Sequence, residues 1–457
     1  MSKNPHWTQG VPTTAIPLAT LADLVLRHTV SMWLLAAACL VFMLYQRRYV
    51  APGIRRTSLV LGLLTATLLP LIDHPLPALA SGVRIGGLIA SLLIAINLLS
   101  RASLRVPRMR QLVTDLFALP RRQRPLALGV GAQFLGGFLG LAGLTMMMDV
   151  AAQRQDVSKA EQIADFSAIS RGYAALTLWS PMYSNMSIVL TLYEGIRWTD
   201  VLPYAFAISA IFIGLGALLE SLKPRAESSG TLKPSSIIQL LRDSLPIVAL
   251  MLCFVSGMVW ASDRLHVSVS AIIIASVPFV AWLLNVWQPS EPTQRWRSGG
   301  RQLCQDLLGQ STMAGEVLLF LVSGCAGTVF SQAIPVSWIE AVAQLTGGSP
   351  YWGSLLVMAA IVGWSGTSMH PMLSAVLVGS SLTPAVLGMP PLVHLCSVLV
   401  GWGLAIITTP FSVLSLMAAR FSGIPILVIS LRANLAFVLV SMGGAALVLG
   451  WIVTPGP

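Results

Sequence analysis

The sequence predicts an all-α polytopic membrane protein: about ten transmembrane helices plus two re-entrant hairpins in an inverted repeat. Three observations predict it. Of the 457 residues, 55% are hydrophobic and 10% are charged, with a mean hydropathy of +0.78, a composition outside the range of soluble domains. Several apolar runs reach the roughly 20 residues that cross a bilayer. Two of those runs are interrupted by similar motifs, GLAGLTMMMD over Gly140–Asp149 and GWSGTSMHPM over Gly363–Met372. Aligning them pairs Gly140 with Gly363, Gly143 with Gly366, Thr145 with Ser368 and Met146 with Met369. Paired interruptions in two halves mark the binding region of many transporters.

Residues 1–28 read as an N-terminal segment with no compact apolar core and cleavage site, so no removable signal peptide is expected. Spans follow at 29–45, 57–72 and 83–99, and the basic stretch after them holds an amphipathic surface helix at 109–119. A hairpin covers 126–148, a polar loop 149–170, a broken span 173–193 and a further span 202–219. Residues 29–222 thus form the first repeat, and 223–243, rich in Lys, Pro, Ser and Gly, form a cytoplasmic linker. The second repeat, 244–457, has spans at 245–261, 267–287 and 314–332, and a surface helix at 335–348. It ends with a hairpin at 351–382, a broken span at 393–419 and a last span at 433–453.

Charge supports this topology. The net charge of +11 is spread between apolar runs, which indicates orientation by cytoplasmic cations and not a nucleic-acid partner. In this arrangement 23 of the 28 Lys and Arg lie inside, leaving Lys3, Arg27, Arg84, Arg197 and Arg264 outside with both termini. Arg124 before the first hairpin and Arg154 and Lys159 after it place both its feet inside. The expected location is a bacterial inner membrane. The five cysteines, Cys39, Cys253, Cys304, Cys325 and Cys396, suggest neither a disulfide framework nor a metal site.

The chemistry is expected at the interruptions. A backbone breaks at membrane depth only when buried in protein or lining a wet cavity, and the N–H groups of a half-helix suit an anion. The first hairpin offers Gly143 and Thr145; the second offers Ser365, Gly366, Thr367, Ser368 and His370. Each broken span carries a proline among polar side chains: Ser180, Pro181, Ser184 and Asn185 in one, Thr408, Thr409, Pro410 and Ser412 in the other. Proline frees a carbonyl on the preceding turn. His370 has two readings, a titrating group that couples protons to anion binding or a residue that steadies the turn before Pro371. His394 reads as a helix-face residue.

This order of elements resembles the ion transporter superfamily, which includes divalent anion/sodium symporters, arsenite-pump-like carriers and the membrane subunits of tripartite periplasmic transporters. The resemblance covers nearly the whole chain, and the helices at 109–119 and 335–348 match the family's arm helices in position. It implies a homodimeric scaffold against which a hairpin-bearing domain moves as an elevator. It also implies that Thr145, Thr367, Ser368 and their glycines are hairpin-tip ligands. The symporters' Ser-Asn-Thr tip signature is absent from both GLAGLTM and GWSGTSM. The expectation is a secondary transporter of a small organic or inorganic anion, such as a carboxylate, coupled to Na+ or H+ and needing no cofactor. The alternatives are a cation/proton antiporter, which needs intramembrane carboxylates, and an integral-membrane enzyme. Asp149 and Glu316 are the few carboxylate candidates, and no HExxH or Cys–His arrangement occurs.

Overall fold

The computed structural model describes residues 7–46, 48–50, 52–105, 107–154, 157–181, 183–193, 195–222, 237–287, 295–367 and 369–453. Its α-helices in chain order are α1 (Trp7–Leu26), α2 (Thr29–Gln46), α3 (Pro52–Leu68), α4 (Pro75–Ser103), α5 (Pro107–Phe117), α6 (Arg124–Gln153), α7 (Lys159–Trp179), α8 (Ser184–Leu190), α9 (Trp198–Ser221) and α10 (Ile237–Leu265). They continue as α11 (Val269–Val286), α12 (Arg295–Leu308), α13 (Ala314–Ala333), α14 (Val336–Gln344), α15 (Pro350–Gly366), α16 (Pro371–Ser381), α17 (Pro384–Leu387), α18 (Pro391–Thr408), α19 (Val413–Ser422) and α20 (Ala433–Val453). The protein is an all-α polytopic membrane protein. Among the described residues, nine helical segments are long and apolar enough to span a bilayer. The tenth expected span, 173–193, is the end of α7, a break, and α8; Glu161, Asp165 and Arg171 earlier in α7 keep that helix off a simple apolar count.

Several expected boundaries shift, each for a physical reason. The segment 1–28 contains a helix of its own, α1, in which Thr13, Ile16, Thr20 and Asp23 recur along one buried face. Those polar positions are matched, with Thr20 accepting from Ser91 (2.8 Å) and Asp23 from Arg84 (2.9 Å). Its apolar part, Val11–Leu26, is too short to count as a span by hydropathy. The expected loop 149–170 is mostly helix, because its charges neutralise one another in the folded chain. The linker is shorter than expected on its C-terminal side, since α10 starts at Ile237; residues 223–236 lie outside the described ones. The basic stretch from Arg295 is the amphipathic helix α12, and α17 is a single turn the apolar pattern does not reveal.

The chain divides into two compact units, and each draws on both halves of the sequence. One contains residues 1–106 and 252–333, the other 107–251 and 334–457. In the first, α4 and α13 cross with their backbones touching at glycines. A methyl group on Gly324 would lie 2.6 Å from the Gly82 carbonyl oxygen and 2.7 Å from the Gly86 nitrogen. Small residues allow this approach, which maximises dispersion contact where lipid offers no hydrophobic drive. The second unit holds both interrupted segments and both broken spans.

Gly324→Ala should therefore cost about 1–3 kcal/mol, the usual range for overpacking. Gly257, in a helix with open space around it, should accept alanine without loss. Thermal melting of the two variants in detergent checks the contrast.

Candidate functional site

The first hairpin turns at Gly140, whose φ of 54° and ψ of −138° interrupt the helical course of α6. Glycine alone reaches that conformation without strain. Met147 lies 3.6 Å from where a Gly131 Cβ would stand, although a straight helix would separate the two by about 24 Å. The arms are therefore antiparallel. Gly143 is the close-packing point, since its Cβ would meet the Leu135 carbonyl at 2.6 Å. Thr145 is not at the tip; its hydroxyl donates to the Leu141 carbonyl (2.7 Å) in the second arm.

Both feet of this hairpin are fastened to α7. Arg124, the first residue of α6, and Arg154, just after its end, donate to the same Glu161 oxygen at 2.6 and 3.3 Å. Arg154 also pairs with Asp165. These carboxylates occupy the first two turns of α7, in the polar stretch ahead of the membrane-spanning part. Burial alone would raise the Glu161 pKa, but hydrogen bonds and charge from Arg124, Arg121 and Arg154 outweigh it and hold it below its ordinary 4.5. Asp165 is pushed up to about 6, because burial dominates over Arg154. Farther along α7, Arg171 is fully used: it donates to Asn434, Glu220 and the Ala433 carbonyl, each at 2.9 Å, and lies over the Phe437 ring. A buried arginine is tolerable only with such matching.

The second hairpin breaks between α15 and α16, over residues 367–370. Ser365 donates to Ile361 (2.8 Å) and Thr367 to Trp364 (2.7 Å), so both hydroxyls close their own helix turns. Gly366 ends α15 with open space around it, and Ser368 lies outside the described residues. His370 is the N-cap of α16: its Nδ1 accepts from the Met372 N–H at 3.3 Å. A proton on Nδ1 would abolish that cap, so the geometry favours the turn-steadying role.

The broken spans interrupt where the prolines stand. Between α7 and α8, Ser180 caps α7 and Tyr183 precedes α8. Of Ser184 only the backbone, at the start of α8, is described. Asn185, in the first turn, is 2% exposed, and its Nδ2 has no hydrogen-bond acceptor among the described residues. Between α18 and α19, Thr408 bonds back to Leu404 (2.9 Å). Thr409 reaches across to the Ser365 carbonyl (2.7 Å), joining break and hairpin. Ser412 donates to the Ile406 carbonyl (2.6 Å) and accepts from the Ser415 N–H, bridging the gap at Pro410.

The two halves repeat the same contacts at one spacing. Gly172 of α7 presses on Gly129 of α6, and Gly401 of α18 presses on Met358 of α15. Each pair is offset by 229 residues, the offset that also relates Pro181 to Pro410 and the caps Tyr183 and Ser412. In that register Gly140 corresponds to Met369 and Thr145 to Ser374. The motif alignment of Gly140 with Gly363 is therefore six residues out of step, because Gly363 lies inside α15 and the break comes after Gly366. Ser374, fully buried and with no partner for its hydroxyl among the described residues, is the residue that alignment misses. Carrying the Ser-Pro/Thr-Pro register back to the hairpins would have found it. The hairpins contact broken spans of the other half: α16 packs on α8, and α19 packs on α6. Leu192, just past α8, meets Gly379 near the end of α16, so Asn185 and Ser374 belong to the opposite, N-terminal ends of these neighbouring helices.

No family model matches the chain, and no curated protein does. Among solved structures, 14 chains match. One is the YdaH transporter of Alcanivorax borkumensis, whose crystal structure is described as revealing an unusual topology. The TM-score is 0.56 at 16% identity, over 87% of this chain and 97% of that one. The likeness is one of fold.

Glu161→Gln leaves two arginines short of a buried anion and should cost about 3 kcal/mol, whereas Asp165→Asn should cost less. The pH dependence has two opposed parts. Glu161's contribution is present above its unfolded value of 4.5 and lost as pH falls through its lower folded pKa. Asp165's is full below 3.8 and lost as pH rises through about 6. Melting curves from pH 3 to 8 should show the acid-side loss flattened in Glu161→Gln and the loss near pH 6 absent from Asp165→Asn.

Proposed function

We propose that the protein is an elevator-type secondary active transporter of a small organic or inorganic anion, such as a carboxylate, coupled to protons or sodium. The carrying observation is Asn185. It is a buried amide donor with no acceptor among the described residues, in the first turn of a half-helix whose leading N–H groups are also free of intrahelical partners. An anion supplies the missing acceptor and is favoured by the helix dipole. Ser374 adds an unpartnered hydroxyl at the start of α16, the helix packed beside α8. The elevator reading draws support from the two units, one of plain spans and one of hairpins and broken spans, and from the fold likeness to a protein described as a transporter.

The test is uptake of radiolabelled anions and cations into proteoliposomes with sodium and pH gradients set separately. Anion uptake is expected. Asn185→Asp, which places a carboxylate at the anion's position, should abolish it, while Asn185→Ser should retain a fraction; uptake of a cation alone would overturn the reading. His370→Asn preserves a capping acceptor but cannot titrate. It should transport with the wild-type pH profile; loss of the pH dependence would instead assign the coupled proton to His370.

A further inference from the structure

The unit built from residues 1–106 and 252–333 carries a feature that the transport reading leaves unused. Helix α12 lies against the C-terminal end of α11, one of the apolar spans. Its Gly299 is pressed onto that end, since a Cβ there would stand 2.6 Å from Val286 Cγ2. Its far end is locked by Arg105, whose guanidinium forks onto Asp306 at 2.6 and 2.8 Å and also donates to the Asn285 side-chain Oδ1 at 2.8 Å. Gly299 and Asp306 are the buried positions of α12, seven residues apart and so on one face. Arg297, Arg301 and Cys304 are exposed on the other, and Arg295 and Trp296 are exposed at the start.

The aromatic rings fix the depth of this helix. Trp296 contacts Trp282 at 5.3 Å between centroids, and Trp282 contacts Phe279 at 5.7 Å. Phe279 and Trp282 lie within the last two turns of α11, so α12 folds back beside the end of a span. Phe279, Trp287 and Trp296 are exposed. Exposed aromatic residues collect where hydrocarbon meets headgroups, and a basic amphipathic helix at that level faces lipid phosphate.

We propose that α12 is a docking surface for anionic phospholipid, with Arg295, Arg297 and Arg301 taking headgroup phosphates while Trp296 and Trp287 seat in the interface. The partner follows from charge complementarity at membrane depth: three guanidiniums and no exposed carboxylate among the described residues of α12. The proposal rests on the apolar spans and not on transport, so it stands or falls separately from the function proposed above.

The test uses the full chain in detergent micelles doped with phosphatidylglycerol or phosphatidylcholine, with thermal melting as the readout. Phosphatidylglycerol should raise the melting temperature, and the half-effective fraction should rise about five-fold for each arginine removed. Arg295→Gln/Arg297→Gln/Arg301→Gln should lose the effect, and Arg55→Gln/Arg56→Gln, exposed at the start of α3, should keep it. An undiminished shift in the triple variant, equal losses in both variants, or full reproduction of the shift by free glycerol phosphate would overturn the proposal. A second measurement needs no arginine variant. A nitroxide on Cys304 in Cys253→Ser protein, reconstituted into phosphatidylglycerol vesicles, should be shielded from a water-soluble nickel relaxant. Full accessibility to nickel would equally sink the idea.

Discussion

The structure depends on one constraint: in hydrocarbon, a polar backbone group without a partner costs several kcal/mol. This chain breaks its helices at four places and meets that constraint in part. It does so with hydroxyl groups and glycines. Ser412 covers a carbonyl exposed by the gap at Pro410, and Thr409 covers one at the end of α15. His370 takes an otherwise orphaned N–H at the start of α16. Asn185 and Ser374, each in the early turns of a half-helix, are among the buried polar side chains left without a partner among the described residues.

The same constraint explains where several polar residues singled out from sequence direct their hydroxyl hydrogens. Ser365, Thr367, Thr145 and Thr408 suggest ligands because hydroxyls are rare in spans, yet each spends its hydrogen on a carbonyl of its own helix. One-dimensional reading cannot separate a hydroxyl turned back on its backbone from one aimed into a cavity. The breaks themselves were legible from Pro181 and Pro410 standing among hydroxyl side chains at matched places in the two halves, although proline alone does not decide it, since Pro203 and Pro278 lie inside continuous helices. So was the first hairpin, from basic residues on both its flanks. The second motif was legible as an interruption but not in register, because GWSG looks like GLAG while its glycines lie within the last turns of a continuous helix.

The buried charges of α7 were the least legible feature. Glu161, Asp165 and Arg171 made this stretch look like a water-exposed loop; Arg154 pairs with Glu161 and Asp165 from 7 and 11 residues away, whereas Arg124 lies 37 residues from Glu161 and Glu220 lies 49 from Arg171. The longer pairings are a property of the fold, and no local window contains them. The 229-residue recurrence of the Gly172 and Gly401 contacts was hidden for a similar reason. The partner of one is glycine and of the other methionine, so the contact recurs while the letters do not.

The glycine crossing of α4 and α13 bears on how the protein is made. Gly82 and Gly86 are synthesised more than two hundred residues before Gly324, and the intervening chain belongs largely to the other unit. During translation α4 must wait in the bilayer with its glycine stripe facing lipid, where small side chains leave its backbone poorly covered. The growing chain therefore passes through a long-lived intermediate in which a future internal seam is an open surface. At that stage the membrane insertion machinery, or a second nascent chain, competes with α13 for the seam. Truncations that stop before Ala314 would leave the seam permanently open and expose this competition directly.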